Sequence, residues 1–347
     1  MTSLTEKKID LSKAIEHSIF EKGKITPLSS ETILEKIKKK FSKRISETKY
    51  DRIVIAEQFL EHFFKTKKEK KDITPIESFQ TFKISNSLTK NSGNSCVALT
   101  MDMINLMPNN IFAYPIAGIL SDIYQQFAGP KHSHVTPLIS FQNPQDEKDS
   151  GYILLDPSFH IAKPIVLKKD GNVFSYDMGF KKGLWHFSIK DKYIYCQPKE
   201  RENEEKWPEK RLKDSLMTYR TDAILNPVES SSNPMFVIDR SYPIVSRFDD
   251  GSQRAHINVN LDKKCIVWKI GKEKKSPISF DEILNGYKFD KNFADLLLLD
   301  REELNNSLYN VISNADIFDK LYNDYINHLK LNKYYRDILK YPESILK

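Results

Sequence analysis

The spacing of apolar residues divides the chain into a helical beginning, a β-rich middle and a mixed end. Apolar positions recur at helical spacing from Ser30 to Ile37 and over roughly residues 51–64. A third apolar helix is predicted from Cys96 to Leu106, where Pro108 stops it. Beyond Pro108 the apolar runs become short, rich in β-branched and aromatic residues, and separated by turns. That texture predicts strands over 111–120, 134–141 and 151–156.

The last third of the chain predicts more strands followed by helices. Strands are expected at 236–238, 244–248, 254–261 and 265–270, with Asp249-Asp250-Gly251 as a hairpin turn. From Ser279 onward the spacing becomes helical again. We therefore predict an α+β fold with an N-terminal helical region, a central antiparallel β-barrel or sheet and a C-terminal α/β region. The expected units are 1–107, which ends in the Cys96 helix, 108–230, a β-barrel domain, and 231–347, a lid-like domain.

Composition describes a mildly basic globular protein. The chain has 347 residues and a formal net charge of +7. Its 39% of hydrophobic residues is enough for a sizeable core. Lysine runs at 36–40 and 65–71 could contact phosphates, but a solvated helix face or loop is the simpler interpretation of both runs. Basic residues are not interleaved with aromatic ones, and no phosphate-binding loop is present. We therefore expect no nucleic-acid partner.

Cysteine usage and hydropathy bear on the compartment. The three cysteines are far apart, which argues against a disulfide framework, and no C-x-x-C pair suggests zinc. The N-terminus lacks the apolar core of a signal peptide, and no stretch approaches the roughly 18 apolar residues of a spanning helix. A cytoplasmic protein without a membrane partner is expected.

Three residues in order could form an activated nucleophile. Cys96 opens a predicted helix, His134 lies on a predicted strand, and Asp156 ends the next strand. A thiol at a helix N-terminus beside an imidazole is stabilised as the reactive thiolate. The turn before Cys96, which contains Gly93, could supply N–H groups to an oxyanion. His134 would move the proton, and Asp156 would orient the imidazole ring.

Each residue also has a simpler interpretation. Cys96 could be an inert core thiol, and Asp156 could end a strand before Pro157. His132 and His134 share one face of a strand and could begin a metal site, although only Asp156 or His160 offers a third ligand nearby. We expect no metal. Cys196 and Cys265 lie in strand-like runs and are interpreted as structural. Cys96 is therefore the one cysteine that we interpret as reactive.

At these residues the chain resembles the arylamine N-acetyltransferases, within the papain-like and transglutaminase-like cysteine superfamily. That family has a cysteine after a glycine-rich turn, a histidine on a strand at a similar interval, and an aspartate opening an Asp-Val-Gly-Phe-Gly motif. Here Asp156-Pro157-Ser158-Phe159-His160 occupies the motif's place. The resemblance, which covers roughly residues 85–300, implies a papain-like fold. It also makes Phe159 a wall of the substrate pocket and Gly93 part of the substrate-binding turn.

The resemblance implies an acyltransferase with Cys96, His134 and Asp156 as its catalytic triad. Acetyl-CoA or another acyl-CoA would be the co-substrate, a small amine or hydroxyl compound the acceptor, and no cofactor would be bound permanently. The family's arginine and one glycine before the cysteine, and its glutamate after it, are absent here. Leu155-Asp156-Pro157-Ser158 is instead similar to the Leu-Asp-Pro-Thr of transglutaminase-like domains. A transglutaminase-like or protease-like enzyme, or a catalytically silent scaffold, therefore stays open as an alternative.

Overall fold

The computed structural model describes residues 24–83, 93–119, 134–158, 161, 163–169, 174–177, 184–199, 217–224, 235–238 and 240–331. The helices are α1 (Ser30–Glu47), α2 (Ile53–Glu69), α3 (Pro75–Thr81), α4 (Cys96–Asn105), α5 (Met235–Ile238), α6 (Phe280–Leu284), α7 (Lys291–Leu296), α8 (Arg301–Ser313) and α9 (Ala315–Leu331). The strands up to residue 199 are β1 (Lys49–Asp51), β2 (Gly93–Asn94), β3 (Ala113–Ile119), β4 (His134–Asn143), β5 (Asp146–Leu154), β6 (Ile165–Lys168), β7 (Phe174–Asp177), β8 (Leu184–Lys190) and β9 (Tyr193–Lys199). The later strands are β10 (Met217–Ile224), β11 (Ser241–Arg247), β12 (Gln253–Asn260), β13 (Cys265–Ile270), β14 (Glu273–Lys274) and β15 (Ile278–Ser279).

The middle of the chain forms an antiparallel, barrel-like sheet. Its strand order is β6-β5-β4-β3-β10-β9-β8-β7. β6 at one end lies against β7 and β8 at the other, so the sheet is nearly closed on itself. Its interior contains large buried side chains, among them Trp185, Phe187 and Tyr219. The α+β class and the central antiparallel barrel predicted from the sequence are confirmed at this level.

The second sheet joins the segments 49–51 and 93–94 to strands between residues 241 and 279. Its order is β14-β13-β12-β11-β1-β2, with β15 paired to β13. β1 pairs antiparallel with β11 and parallel with β2. One apolar core surrounds this sheet and includes both α2 residues, such as Phe59, and α8 residues, such as Leu308. The predicted division at 107 and 230 stays a prediction, and the first and last of those units share this sheet and core.

Helix α1 shows how local sequence and distant contacts act together. Its buried residues Ile33, Ile37, Phe41 and Ile45 repeat every four positions and form one apolar stripe. The Ser29 hydroxyl accepts from Thr32 N at the helix start. Asp149 on β5 accepts from the backbone N and Oγ of Ser30. The barrel therefore caps this helix across 119 residues of sequence.

One sequence prediction needs correction, and one helix within the predicted helical region was not identified. Residues 236–238 were expected to form a strand, but they lie in helix α5. A run of three apolar residues carries no usable period, so packing against α2 and α9 decides its conformation. Helix α8 was not singled out, although Leu304, Leu308 and Val311 lie at helical spacing and Asp300 caps its first turn.

Among the residues that the structure describes, no helix combines the length and apolar character needed to cross a membrane. The expected cytoplasmic location stays a prediction.

Candidate active site

Helix α4 presents Cys96 at its first residue. The Ser95 hydroxyl accepts from Ala98 N at 3.4 Å, and the Ser95 carbonyl accepts from Leu99 N at 3.1 Å. Ser, unlike the apolar residues that follow, favours such a cap, which explains why the helix begins here. Every residue from Cys96 to Ile104 is buried. The Thr100 hydroxyl donates to the Val135 carbonyl at 3.0 Å, and this bond holds the helix against β4 beside His134.

The turn before Cys96 belongs to the second sheet. Gly93 and Asn94 form β2 and lie in register with Lys49 and Tyr50 of β1. The chain therefore enters the Cys96 helix from a paired strand. The predicted role of Gly93 in substrate binding stays a prediction. Phe159, His132 and His160 lie outside the described residues, so the predicted pocket wall and the alternative metal ligands are not placed.

His134, the first residue of β4, connects the other two members of the triad. Its Nε2 lies 2.7 Å from Asp156 Oδ2, and both side chains are buried. The Cys96 side chain lies close enough to the same ring to raise its pKa. Because Nε2 faces the carboxylate, Nδ1 is the ring nitrogen left for the sulfur. The structure thus brings together Cys96, His134 and Asp156, as the sequence predicted.

The surroundings of His134 favour its charged form. Burial alone would lower the pKa of this imidazole, because desolvation penalises the cation. The Asp156 carboxylate raises the pKa through its charge and its hydrogen bond, and the Cys96 side chain raises it further. Together they raise the pKa of His134 to about 10. At neutral pH the ring is therefore an imidazolium that can donate a proton.

Asp156 follows β5 by two residues and is held on several sides. Leu155 extends the ladder, since its N–H donates to the Pro137 carbonyl and its carbonyl accepts from the Thr136 hydroxyl. The Ser158 N–H donates to Asp156 Oδ1 at 3.2 Å, which closes a local Asx turn. This carboxylate has no accessible surface, and hydrogen bonding replaces the water that it loses.

Tyr219 is a site residue that the sequence interpretation missed. Its hydroxyl donates to Asp156 Oδ2 at 3.0 Å, the same oxygen that faces His134. Burial raises the pKa of the Tyr219 phenol well above its ordinary value, and the Asp156 charge raises it further. The phenol therefore stays a hydrogen-bond donor. Only the tertiary fold brings this residue to Asp156, because 63 residues separate them.

Gly118 makes the approach of Tyr219 and His134 possible. In the barrel sheet, Tyr219 is in register with Gly118, and Gly118 is in register with His134. A Cβ on Gly118 would lie 3.1 Å from His134 Cβ and Cδ2, and 3.3 Å from Tyr219 Cδ1. The two rings meet edge to face over this glycine, with centroids 6.2 Å apart. A glycine inside a strand run was the available sequence signal, because it marks close approach.

Gly118→Ala is therefore expected to disturb the site without removing any of its three reactive side chains. The added methyl group should cost about 1–3 kcal/mol of unfolding free energy, as overpacking in cores does. It should also slow alkylation of Cys96 by iodoacetamide, because His134 must shift. Urea unfolding and alkylation rates measure the two effects. Thr218→Val, on the opposite face of β10 from Tyr219, is the control; equal behaviour of both variants would contradict this role for Gly118.

The remaining cysteines lie apart from this chemistry. None of Cys96, Cys196 and Cys265, all of which the structure describes, forms a disulfide. Cys196 is fully buried on β9, and Cys265 is partly buried at the start of β13. Within the described ranges, no group of three or more His, Cys, Asp or Glu side chains could hold a metal ion. The arrangement at Cys96 is that of a thiol, an imidazole and a carboxylate.

Comparison with known proteins gives no family for the chain. Its sequence matches no protein-family model, and no curated protein matches it.

Proposed function

We propose that this chain is a cysteine acyltransferase that carries an acyl group from acyl-CoA on Cys96 to a small amine or hydroxyl acceptor. The observation that carries the proposal is the contact series Cys96–His134–Asp156, with the 2.7 Å link between Nε2 and Oδ2 at its centre. Nucleophile, base and orienting acid in mutual contact are the signature of covalent catalysis. A nucleophile helix packed on an antiparallel barrel that holds the histidine and the acid supports a papain-like arrangement.

The first half-reaction loads the enzyme. The Cys96 thiolate attacks the carbonyl carbon of the acyl-CoA thioester, and a tetrahedral oxyanion forms. Its collapse breaks the bond between that carbon and the CoA sulfur. The leaving CoA thiolate takes the proton of the His134 imidazolium, so the products are acyl-Cys96, neutral His134 and free CoA thiol.

The second half-reaction regenerates the thiolate. The acceptor nitrogen or oxygen attacks the acyl-Cys96 carbonyl, and His134 takes the acceptor's proton. The carbon–sulfur bond then breaks, which releases the amide or ester and restores the thiolate–imidazolium pair. Asp156 keeps the ring oriented throughout because its Oδ2 accepts from Nε2, and Tyr219 fixes that oxygen.

Backbone groups at the start of α4 are suited to the oxyanion. The first residues of a helix have N–H groups without partners inside the helix. Ala98 N donates to the Ser95 hydroxyl, whereas Cys96 and Val97 precede it in the same turn. The positive end of the helix dipole adds to their attraction for negative charge. We propose that these two N–H groups bind the carbonyl oxygen during attack.

The proposal is tested by intact mass spectrometry after mixing the protein with acetyl-, propionyl- and malonyl-CoA. We expect a gain of one acyl group in the wild type and in Cys265→Ala, and no gain in Cys96→Ala. The Cys265 variant is the matched control because it removes a more accessible thiol than Cys96. Absence of a gain with every donor, while iodoacetamide still alkylates Cys96 quickly, would overturn acyl-CoA as the donor.

One observation favours a second function. Asp156 is followed by Pro157 and Ser158, and the Ser158 N–H closes the turn on the carboxylate. This sequence is similar to that of transglutaminase-like domains, which attack glutamine amides with the same triad. Acylation of Cys96 by a glutamine peptide, without a response to acyl-CoA, would support that function. A thiol that reacts slowly with iodoacetamide and accepts no acyl group would support a silent scaffold.

A further inference from the structure

Strand β11 lies next to the strand pair that leads into Cys96. Ser246 of β11 is in register with Lys49 of β1, and Lys49 is in register with Gly93 of β2. The Ser246 hydroxyl also donates to the Leu296 carbonyl at 2.6 Å, which fixes the strand to the C-terminal helices. The β11–β1 and β1–β2 pairings therefore fix the position of Cys96 relative to β11.

The residue after Ser246 reaches the other sheet. Arg247 is buried, with 3% of its surface exposed, and its Nη1 donates to the Pro157 carbonyl at 2.9 Å. Pro157 directly follows Asp156, which comes from the barrel sheet. Burying a guanidinium costs free energy because the cation loses its water, so a buried arginine needs hydrogen-bond acceptors to replace that water. Its bond to Pro157 joins the two sheets beside the triad's acid.

We infer that Arg247 is a positioning residue. It holds the Asp156 turn against β11, so that Asp156 keeps a fixed position relative to Cys96. This inference rests on the proposed use of the triad. The Asx turn of Ser158 orients Asp156 only locally. The bond from Arg247 relates that turn to β11, and through β1 and β2 to Cys96. The C-terminal part of the chain thereby sets the geometry of a site whose three reactive residues all precede it.

The test compares Arg247→Met and Arg247→Gln, which cannot present a cationic donor to Pro157, with Arg247→Lys, which can. Arg254→Met is the matched control, because Arg254 lies on neighbouring β12, is partly exposed and stacks on Phe248 at 4.9 Å. Two readouts report the triad directly: the low-field proton resonance of the His134–Asp156 hydrogen bond, and the alkylation rate of Cys96 against pH. Urea unfolding of each variant reports stability separately.

We expect folded Met and Gln variants with a shifted or broadened resonance and alkylation slowed about tenfold or more, since small misplacements of reacting groups have effects of this size. The Lys variant should recover part of the rate, and Arg254→Met should match the wild type. A folded Met or Gln variant with the wild-type resonance and pH profile would overturn the inference. If both fail to fold while the Lys variant reacts normally, Arg247 is a structural residue and the inference is equally overturned.

These readouts use no acyl donor, so they separate the inference from the proposed function. A protein that takes no acyl group from CoA, but whose alkylation depends on Arg247, would refute acyl transfer and leave the positioning role intact. If the Arg247→Met variant is instead acylated at the wild-type rate, acyl transfer is supported and the positioning role of Arg247 is refuted.

Discussion

Asp156→Asn should reduce acyl transfer by about 10⁴-fold, since an asparagine in place of a triad aspartate favours the wrong imidazole tautomer. An asparagine amide can donate to Nε2, whereas the carboxylate can only accept from it. The ring would then carry its proton on the nitrogen that faces Cys96, so it could not accept the proton of the Cys96 thiol and form the thiolate that acylation needs. Single-turnover acylation, followed by mass, measures the loss.

The control for this change is Asp149→Asn. Asp149 is also a buried aspartate of the β5 region, but it caps α1 through Ser30 instead of contacting His134. That variant should lose stability and keep its acylation rate when assayed below its unfolding temperature. Equal losses of acylation in both variants would mean that Asp156 acts only through folding.

Asp156→Asn should also change how the stability of the protein depends on pH. The folded pKa of His134 is raised to about 10, above its ordinary value of 6.5. The stabilisation that accompanies this shift is fully present below pH 6.5 and is lost as pH rises through about 10. Asp156→Asn removes the charge that raises the pKa of His134, so in the variant the loss of stability should be smaller and should be complete at a lower pH. Urea unfolding at a series of pH values checks the direction.

Arg44→Met should be strongly destabilising, although Arg44 lies away from the triad. Arg44 on α1 holds Asp102 on α4 through two bonds, Nε to Oδ2 at 2.5 Å and Nη2 to Oδ1 at 2.9 Å. The Asp102 side chain is 3% exposed and the Arg44 side chain 15%. Removing the arginine leaves a buried carboxylate uncompensated, which costs about 3–5 kcal/mol of unfolding free energy. Urea unfolding measures it.

The adjacent Lys43 gives a matched control for that change. Lys43 pairs with Glu47 on the exposed side of α1, and its side chain is 72% exposed. Lys43→Met should change the unfolding free energy by less than about 1 kcal/mol, as exposed ion pairs do. The double variant Arg44→Met, Asp102→Leu should recover most of the stability, because neither charge is then left alone. A single Arg44→Met variant as stable as Lys43→Met would contradict the expected role of this pair.

This ion pair also explains why the N-terminal helix matters to the site. Asp102 lies on the helix that begins at Cys96, and Arg44 lies on a helix that barrel residue Asp149 caps. The family resemblance noted in the sequence covers roughly residues 85–300 and gives the first 85 residues no counterpart. The structure makes part of that segment a support of the nucleophile helix.

The sequence by itself determined the local elements whose signals are periodic. α1 and α4 follow from apolar spacing and from the caps Ser29 and Ser95, because helix periodicity and capping are local properties. The order of thiol, imidazole and carboxylate was likewise readable, and the structure brings these three residues together, with Asp156 two residues past the end of its strand.

Tertiary structure alone decided the contacts between distant segments. Tyr219, Gly118 and Arg247 reach the triad through strand register and sheet packing, which no local pattern encodes. Residues 236–238 became a helix and 49–51 a strand because neighbours supplied the partners that such short runs cannot supply themselves. Local periodicity thus fixed the elements that carry the reactive residues, whereas long-range hydrogen bonding and close packing fixed how those residues face one another.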